Sequence, residues 1–331
     1  SVTREAMSNV TFVCCIESGG LEEMTLRMIA SLRRWGGQYK DAAIIAVRPR
    51  MGSPLSKRTL KILDSYDVMY LYSNVNTESW FKYMNKPHAL NLADEFVQTE
   101  FMCWIDSDII FLDEPFQSVT SFKNDVYACA SDKNIGSTGE ADKFDPYWQY
   151  LCAELNIDIN QMPWIVTEYE QHKIRLYFNS GVFLYRKSSH FSKQYLNVCQ
   201  RLLRSKIANT ESGIFFTDQV ALGLTVCTMN LSYMALPLAD NFPINRNKVL
   251  AGHDLSGDVS ILHYHDMMWQ PNWPNLLTIL EQRDPEVLDW LNELGPTMNN
   301  SNFAYKVVAN LLSKFRDVKL KSYLKNCHEV C

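Results

Sequence analysis

Two aspartates separated by one serine, Asp106-Ser107-Asp108, follow the apolar run Phe101–Ile105 and precede a second apolar run. Carboxylates that close repel one another, and a bound divalent cation is the usual compensation. A bare D-x-D is also common as a polar loop with hydrogen-bonded aspartates, so the pair needs company before it means a metal. Ile261-Leu262-His263 offers it, an apolar run with a histidine at its end. A lone histidine there is more often a core or loop residue. Joined to the aspartates it completes a mixed O/N set that suits Mn²⁺ better than Mg²⁺ or Ca²⁺. Lys86, in Asn85-Lys86-Pro87-His88, is expected just before a helix. A lysine in that place can meet a phosphate alongside the helix N-terminus, although most surface lysines are only solvated.

These groups need a scaffold that brings them to one edge. Apolar runs at residues 9–16, 42–47, 68–72, 101–105 and 126–130 are strand-length and alternate with helical patterns at 21–35, 53–66 and 88–97. Ser53-Pro54 reads as a helix N-cap followed by proline at the first helical position. The alternation predicts an α/β fold, a parallel sheet with helices on both faces. Ligands in such sheets bind beyond the carboxyl ends of the strands, where Asp106 and Asp108 emerge. Beyond residue 130 the pattern loosens into a polar loop at 132–143, a helix near 146–155, strands at 177–185 and 259–264, and helices around 192–203 and 217–228. After Pro274 the chain reads as all-helical to Cys331. The expected organisation is a first lobe over residues 1–130, a second lobe of the same domain over 131–270, and a helical segment over 271–331.

The 331 residues are 47% hydrophobic and 21% charged, the balance of an ordinary globular protein. A formal charge of −5 argues against a nucleic-acid partner, which needs a basic face. No apolar run reaches the roughly eighteen residues of a membrane span. The chain begins at Ser1, so an upstream anchor or targeting segment is compatible with the sequence. Most of the nine cysteines fall in strand-like runs, as Cys14, Cys15, Cys103 and Cys129 do. Buried free thiols in a reducing, cytoplasmic compartment are the expectation, softened by N-x-S/T sequons at Asn9, Asn230 and Asn299.

In the order Phe12-Val13, Lys86-x-His88, Trp104-x-Asp106-Ser107-Asp108-Ile109-Ile110, Phe178-Asn179-Ser180-Gly181-Val182-Phe183, Thr217-Asp218-Gln219 and Ile261-Leu262-His263, the first 270 or so residues resemble the retaining GT-A glycosyltransferases typified by glycogenin and the bacterial lipopolysaccharide galactosyltransferases. The resemblance implies a GT-A fold, with residues 1–130 as the nucleotide-sugar-binding lobe and 131–270 as the acceptor-binding lobe. It also implies transfer of a sugar from a nucleoside-diphosphate donor, a UDP-sugar by preference, with retention of configuration. It implies that Asp106, Asp108 and His263 hold Mn²⁺, or Mg²⁺, on the donor diphosphate. Lys86 would lie near the donor phosphate or sugar, with Ser107 and Ser180 also on the donor. Asn179, Ser180, Asp218 and Gln219 would face the transferred sugar and the acceptor, and Ile16, Glu17 and Ser18 the base and ribose. The acceptor, whether carbohydrate, lipid-linked or protein, stays open.

Two departures stand out. The family continues its histidine as H-x-x-G-x-x-K-P-W, whereas His263 is followed by Tyr264-His265-Asp266-Met267-Met268-Trp269. Contacts to the donor phosphates must come from elsewhere, with Arg246 and Lys248 as candidates. Leu21 stands where glycogenin-like proteins carry an aromatic over the uracil. Rival readings are a sugar-nucleotide binder without turnover and a D-x-D phosphatase, whose motif lies on the first strand of its domain. Finally, the helix expected around 303–325 places Phe303, Val307, Val308, Leu311, Leu312 and Phe315 among six basic residues and a single acid, Asp317. Such a helix can dock on the body with a solvated basic face, or lie on an anionic membrane surface as a peripheral contact.

Overall fold

The first apolar run forms β1 (Val10–Cys15), buried along its whole length, because helices cover both faces of its sheet. The structure, a computed structural model, describes residues 9–245, 258–299 and 301–330. After β1 come α1 (Gly20–Trp35), β2 (Ala43–Arg48), α2 (Lys57–Ser65), β3 (Val68–Tyr72), α3 (Asn85–Asp94) and β4 (Phe101–Ile105). β5 (Ile109–Phe111), β6 (Val126–Ala130) and α4 (Asp145–Glu154) follow. A small antiparallel pair, β7 (Trp164–Val166) and β8 (Lys173–Arg175), precedes the long β9 (Phe178–Arg186). The chain then runs through α5 (Phe191–Ser205), β10 (Ile207–Asn209), α6 (Thr217–Met229), β11 (Tyr233–Leu236), β12 (Phe242–Pro243) and β13 (Ile261–His263). Helices α7 (Trp273–Glu281), α8 (Pro285–Leu294) and α9 (Phe303–Lys325) lead to β14 (His328–Val330).

The main sheet has the strand order β11-β6-β9-β4-β1-β2-β3. Its strands are parallel except β9, which runs antiparallel between β4 and β6. The α/β class and the parallel-dominated, GT-A-like sheet expected from the sequence are present. Strand period separates the core into two layers. Val13, Cys15, Met102 and Trp104 face one side, and Phe12, Cys14, Cys103 and Ile105 the other. Adjacent Cys14 and Cys15 therefore lie on opposite faces, and the eight described cysteines are all free. β9 and β11 come from the second segment of the chain yet complete the same sheet.

Helix α1 shows why its boundaries were legible. Glu22 and Glu23 occupy its first turn and Arg33 and Arg34 its last, each matched to the helix dipole. Gly36 caps it, and Gly37 follows at a φ of 59° that favours glycine. α2 corrects the expected start at Ser53-Pro54. The cap is Ser56, whose Oγ accepts from the Thr59 N–H at 3.1 Å, while the Ser53 hydroxyl donates to the Tyr305 carbonyl of α9. α3 starts at Asn85, not His88, so Lys86 lies inside its first turn instead of before it. The expected all-helical tail ends in a strand, because β14 pairs parallel with β10. No helix among the described residues is long and apolar enough to cross a membrane.

Candidate active site

The carboxylate pair sits where the central strand β4 ends. Asp106 donates its backbone N–H to the Gly181 carbonyl of neighbouring β9 at 2.9 Å. β5 then pairs antiparallel with β13, Ile109 opposite His263, and the Tyr264 N–H donates to the Asp108 carbonyl at 3.0 Å. That short ladder carries His263 to the aspartates from 155 residues away in sequence: Nε2 lies 3.0 Å from Asp108 Oδ1 and 3.9 Å from Asp106 Oδ2. One ligand atom from each of Asp106, Asp108 and His263 falls within 4.8 Å of the others. Two carboxylate oxygens and an imidazole nitrogen at that spacing fit a divalent cation.

The electrostatics of the group are those of a site short of positive charge. Burial raises the Asp106 carboxyl above the ordinary range, and Asp108 adds to the rise against the opposing charge of Lys86. Burial acts the same way on Asp108, but the charge and hydrogen bond of His263 outweigh it and hold that carboxyl low. Burial disfavours the His263 imidazolium, yet Asp108 wins and raises its pKa. A cation among these ligand atoms relieves the carboxylate repulsion.

Lys86 sits across from this group. Its Nζ lies 2.8 Å from Asp218 Oδ2 and 3.3 Å from Asp106 Oδ1, and donates to the Ser180 carbonyl at 2.8 Å and the Ser180 hydroxyl oxygen at 3.1 Å. Burial works against its charge, but the two aspartates outweigh burial and raise its pKa. It lies between two carboxylates from within the first turn of α3, not ahead of the helix. Asp218 opens α6, where a carboxylate suits the dipole, and its Oδ2 also accepts the Ser180 hydroxyl at 3.0 Å. Gln219 Nε2 donates to the Tyr177 hydroxyl at 2.6 Å.

Asp106, Asp108, His263, Lys86, Ser180, Asp218 and Gln219 line one cleft of about 1350 Å³, together with Glu17, Ser18, Leu21, Ser107 and Asn179. Ile16 does not. Its side chain is fully buried in the core, because the strand period that points Glu17 to the cleft turns Ile16 inward. The Ser107 hydroxyl is tied to the Cys15 carbonyl at 3.1 Å and accepts from Thr25. Arg246 and Lys248 lie outside the described residues.

Sequence reasoning missed several partners. Trp104 donates its indole N–H to Asp106 Oδ1 at 2.7 Å, and its position two residues before Asp106 on a strand was the available signal. Glu17 is gripped by Arg50 at 2.8 Å and by Asn85 at 2.5 Å. Asn241 meets both Asn179 and His263, with no local pattern to announce it.

Residues 12–230 match the model of the Rhodobacterales glycosyltransferase domain. The chain belongs to this glycosyltransferase family. The matched span holds the D-x-D pair, Lys86, Asn179 and Asp218-Gln219. His263 falls beyond it. Among solved structures the glycosyltransferase chain is similar to the bifunctional glycosyltransferase WbbM (TM-score 0.48, 14% identity, 85% of this chain and 51% of that one). It is also similar to the glycosyltransferase GlyE of Streptococcus pneumoniae TIGR4 (TM-score 0.48, 14% identity, 88% of this chain and 65% of that one). It thus spans about half of the first protein and just under two thirds of the second. No curated protein matches the sequence.

Proposed function

We propose that this glycosyltransferase moves a sugar from a nucleoside-diphosphate donor, a UDP-sugar by preference, to an acceptor hydroxyl, with a divalent cation and with retention of configuration. The observation that carries the reading is the convergence of Asp106, Asp108 and His263 within 4.8 Å beside a large cleft. A cation bound there, Mn²⁺ or Mg²⁺, supplies positive charge to the departing diphosphate. Glu17 and Ser18, on the turn after β1, face the base and ribose of the donor. Asp218, Gln219, Asn179 and Ser180 lie beside the transferred sugar, where carboxylate and amide oxygens stabilise an oxocarbenium-like state. Lys86 holds the Asp218 carboxylate in place and balances its charge.

Release of nucleoside diphosphate from a panel of donors in the presence of Mn²⁺ tests this reading. Slow donor hydrolysis without acceptor is expected. A chain that binds sugar nucleotides but never cleaves them is a binder, not a transferase.

A peripheral contact with an anionic membrane is part of the same proposal. α9 docks on the body through one face, with the Tyr323 hydroxyl donating to the Leu203 carbonyl and Arg316 to the Met51 carbonyl. Its other apolar residues remain open: Phe303 is 83% exposed, Leu311 63%, Phe315 60% and Val318 67%. Lys314 and Lys321 lie within a turn of Leu311 and Val318, and Lys319 within a turn of Phe315, all three exposed. Lysines flanking an apolar row suit the boundary between acyl chains and anionic headgroups.

A further inference from the structure

The hydrogen bonds behind His263 admit one self-consistent assignment, which starts from an atom whose role is fixed. The Gly181 backbone N–H can only donate, and it lies 2.9 Å from Asn179 Oδ1. That atom is therefore the amide oxygen. Asn241 approaches the same oxygen at 2.7 Å and must present its nitrogen, Nδ2. Its remaining atom, Oδ1, then faces His263 Nδ1 at 3.0 Å. An amide oxygen only accepts, so Nδ1 carries a hydrogen. Without a cation Nε2 donates to Asp108. A cation that takes the place of that proton leaves the hydrogen on Nδ1 and meets the lone pair of Nε2, the nitrogen that faces Asp108 and Asp106.

We infer that Asn241, held by Asn179, is a positioning residue that fixes the tautomer of His263 and presents its Nε2 lone pair to the cation shared with Asp106 and Asp108. This rests on the metal-site reading above. Three further features support it. Asn241 is only 2% exposed, so water is poorly placed to substitute for its oxygen. A Cβ at position 181 would fall 2.7 Å from His263 Cε1 and 2.8 Å from Nδ1, so the glycine makes room for the ring. His265 stacks on the ring at 4.2 Å between centroids and 8° between planes. The ring is thereby fixed in orientation by packing and in protonation pattern by Asn241. Residues that orient a ligating histidine through its other nitrogen typically change metal affinity about 10–100-fold when lost.

The test counts free Mn²⁺ by electron paramagnetic resonance, with the full chain and no donor present. Wild type is expected to bind Mn²⁺ and Asp108→Asn to lose that binding. Asn241→Leu, close in size but unable to accept a hydrogen bond, is expected to weaken binding about 10–100-fold. Asn241→Asp keeps an acceptor for Nδ1 but loses the N–H that Asn179 holds, and is expected to recover part of the loss. A folded Asn241→Leu with wild-type affinity overturns the inference. If the leucine variant does not fold, ¹⁵N-histidine spectra of the wild type loaded with diamagnetic Zn²⁺ decide instead. Metal on Nε2 with a proton on Nδ1 is expected, and metal on Nδ1 overturns the assignment. A wild type that binds no metal at all removes the metal-site reading, and this inference with it. Binding by wild type with no change on altering Asn241 removes the inference alone.

Discussion

Lys86 Nζ lies 2.8 Å from Asp218 Oδ2, an ion pair that joins the first turn of α3 to the first turn of α6 across 132 residues. The same oxygen accepts the Ser180 hydroxyl. Attack on the sugar through that oxygen would have to loosen both contacts, and the positive charge of Lys86 lowers the nucleophilicity of the whole carboxylate. Transfer on the face of the departing diphosphate needs no such attack, because a phosphate oxygen can take the acceptor's proton. The product is therefore expected to keep the anomeric configuration of the donor, read from its anomeric proton by NMR. Inversion contradicts it. Asp218→Asn is expected to lower turnover by no more than about 10³-fold, the scale of one electrostatic contact. Loss of all measurable turnover revives a covalent route through Asp218.

A second prediction concerns stability. Arg175 Nε lies 2.7 Å from Asp145 Oδ1, and both side chains are buried. Burial raises the Asp145 carboxyl, but hydrogen bonds from Arg175, then Ser137 and Gln149, outweigh it and leave the pKa below the ordinary aspartate value. A depressed folded pKa contributes stability above the unfolded value, and the contribution is lost as pH falls through the folded value. Arg175→Met strands the charge and is expected to cost about 3–5 kcal/mol near neutrality. In urea titrations the gap between wild type and Asp145→Asn is expected to be full above about pH 5 and to close at lower pH. A gap that widens on acidification contradicts the assignment.

The exposed row on α9 gives a third. Vesicles with anionic headgroups are expected to co-sediment the chain, and neutral vesicles to leave it in solution. Leu311→Ser with Phe315→Ser removes two side chains that are already exposed, so folding is expected to be unchanged while sedimentation is lost. Equal binding to anionic and neutral vesicles contradicts the membrane proposal.

Much of the site was legible because its residues follow apolar strands. Asp106 and Asp108 lie between β4 and β5, and His263 closes β13, so strand pattern alone placed them at strand ends. The α/β class followed from the same alternation. What stayed hidden depends on contacts distant in sequence. Lys86 is set between Asp106 and Asp218 by the packing of α3 against β1 and α5, and nothing near residue 86 encodes that. Asn241 sits beyond a short 3₁₀ turn, where an asparagine looks like any loop residue. Ile16 was misjudged by one strand position, which turns a side chain to the opposite face. β14 is three residues long and is defined by its partner β10, which no local periodicity reveals. Ser53 looked like a cap because proline follows it. The cap that forms, at Ser56, is the one whose oxygen reaches the N–H three residues on.

Metal dependence is the central claim, and turnover of a donor with and without the cation tests it most directly. Nucleoside-diphosphate release by wild type in Mn²⁺ is expected to stop in excess EDTA and to return when Mn²⁺ is restored. Asp108→Asn keeps the shape of the side chain but removes its charge. It is expected to lower release at least about 10–100-fold, since even the residues behind metal ligands have effects of that size. Full turnover by wild type in excess EDTA, or by Asp108→Asn in Mn²⁺, contradicts a catalytic cation held by Asp106, Asp108 and His263.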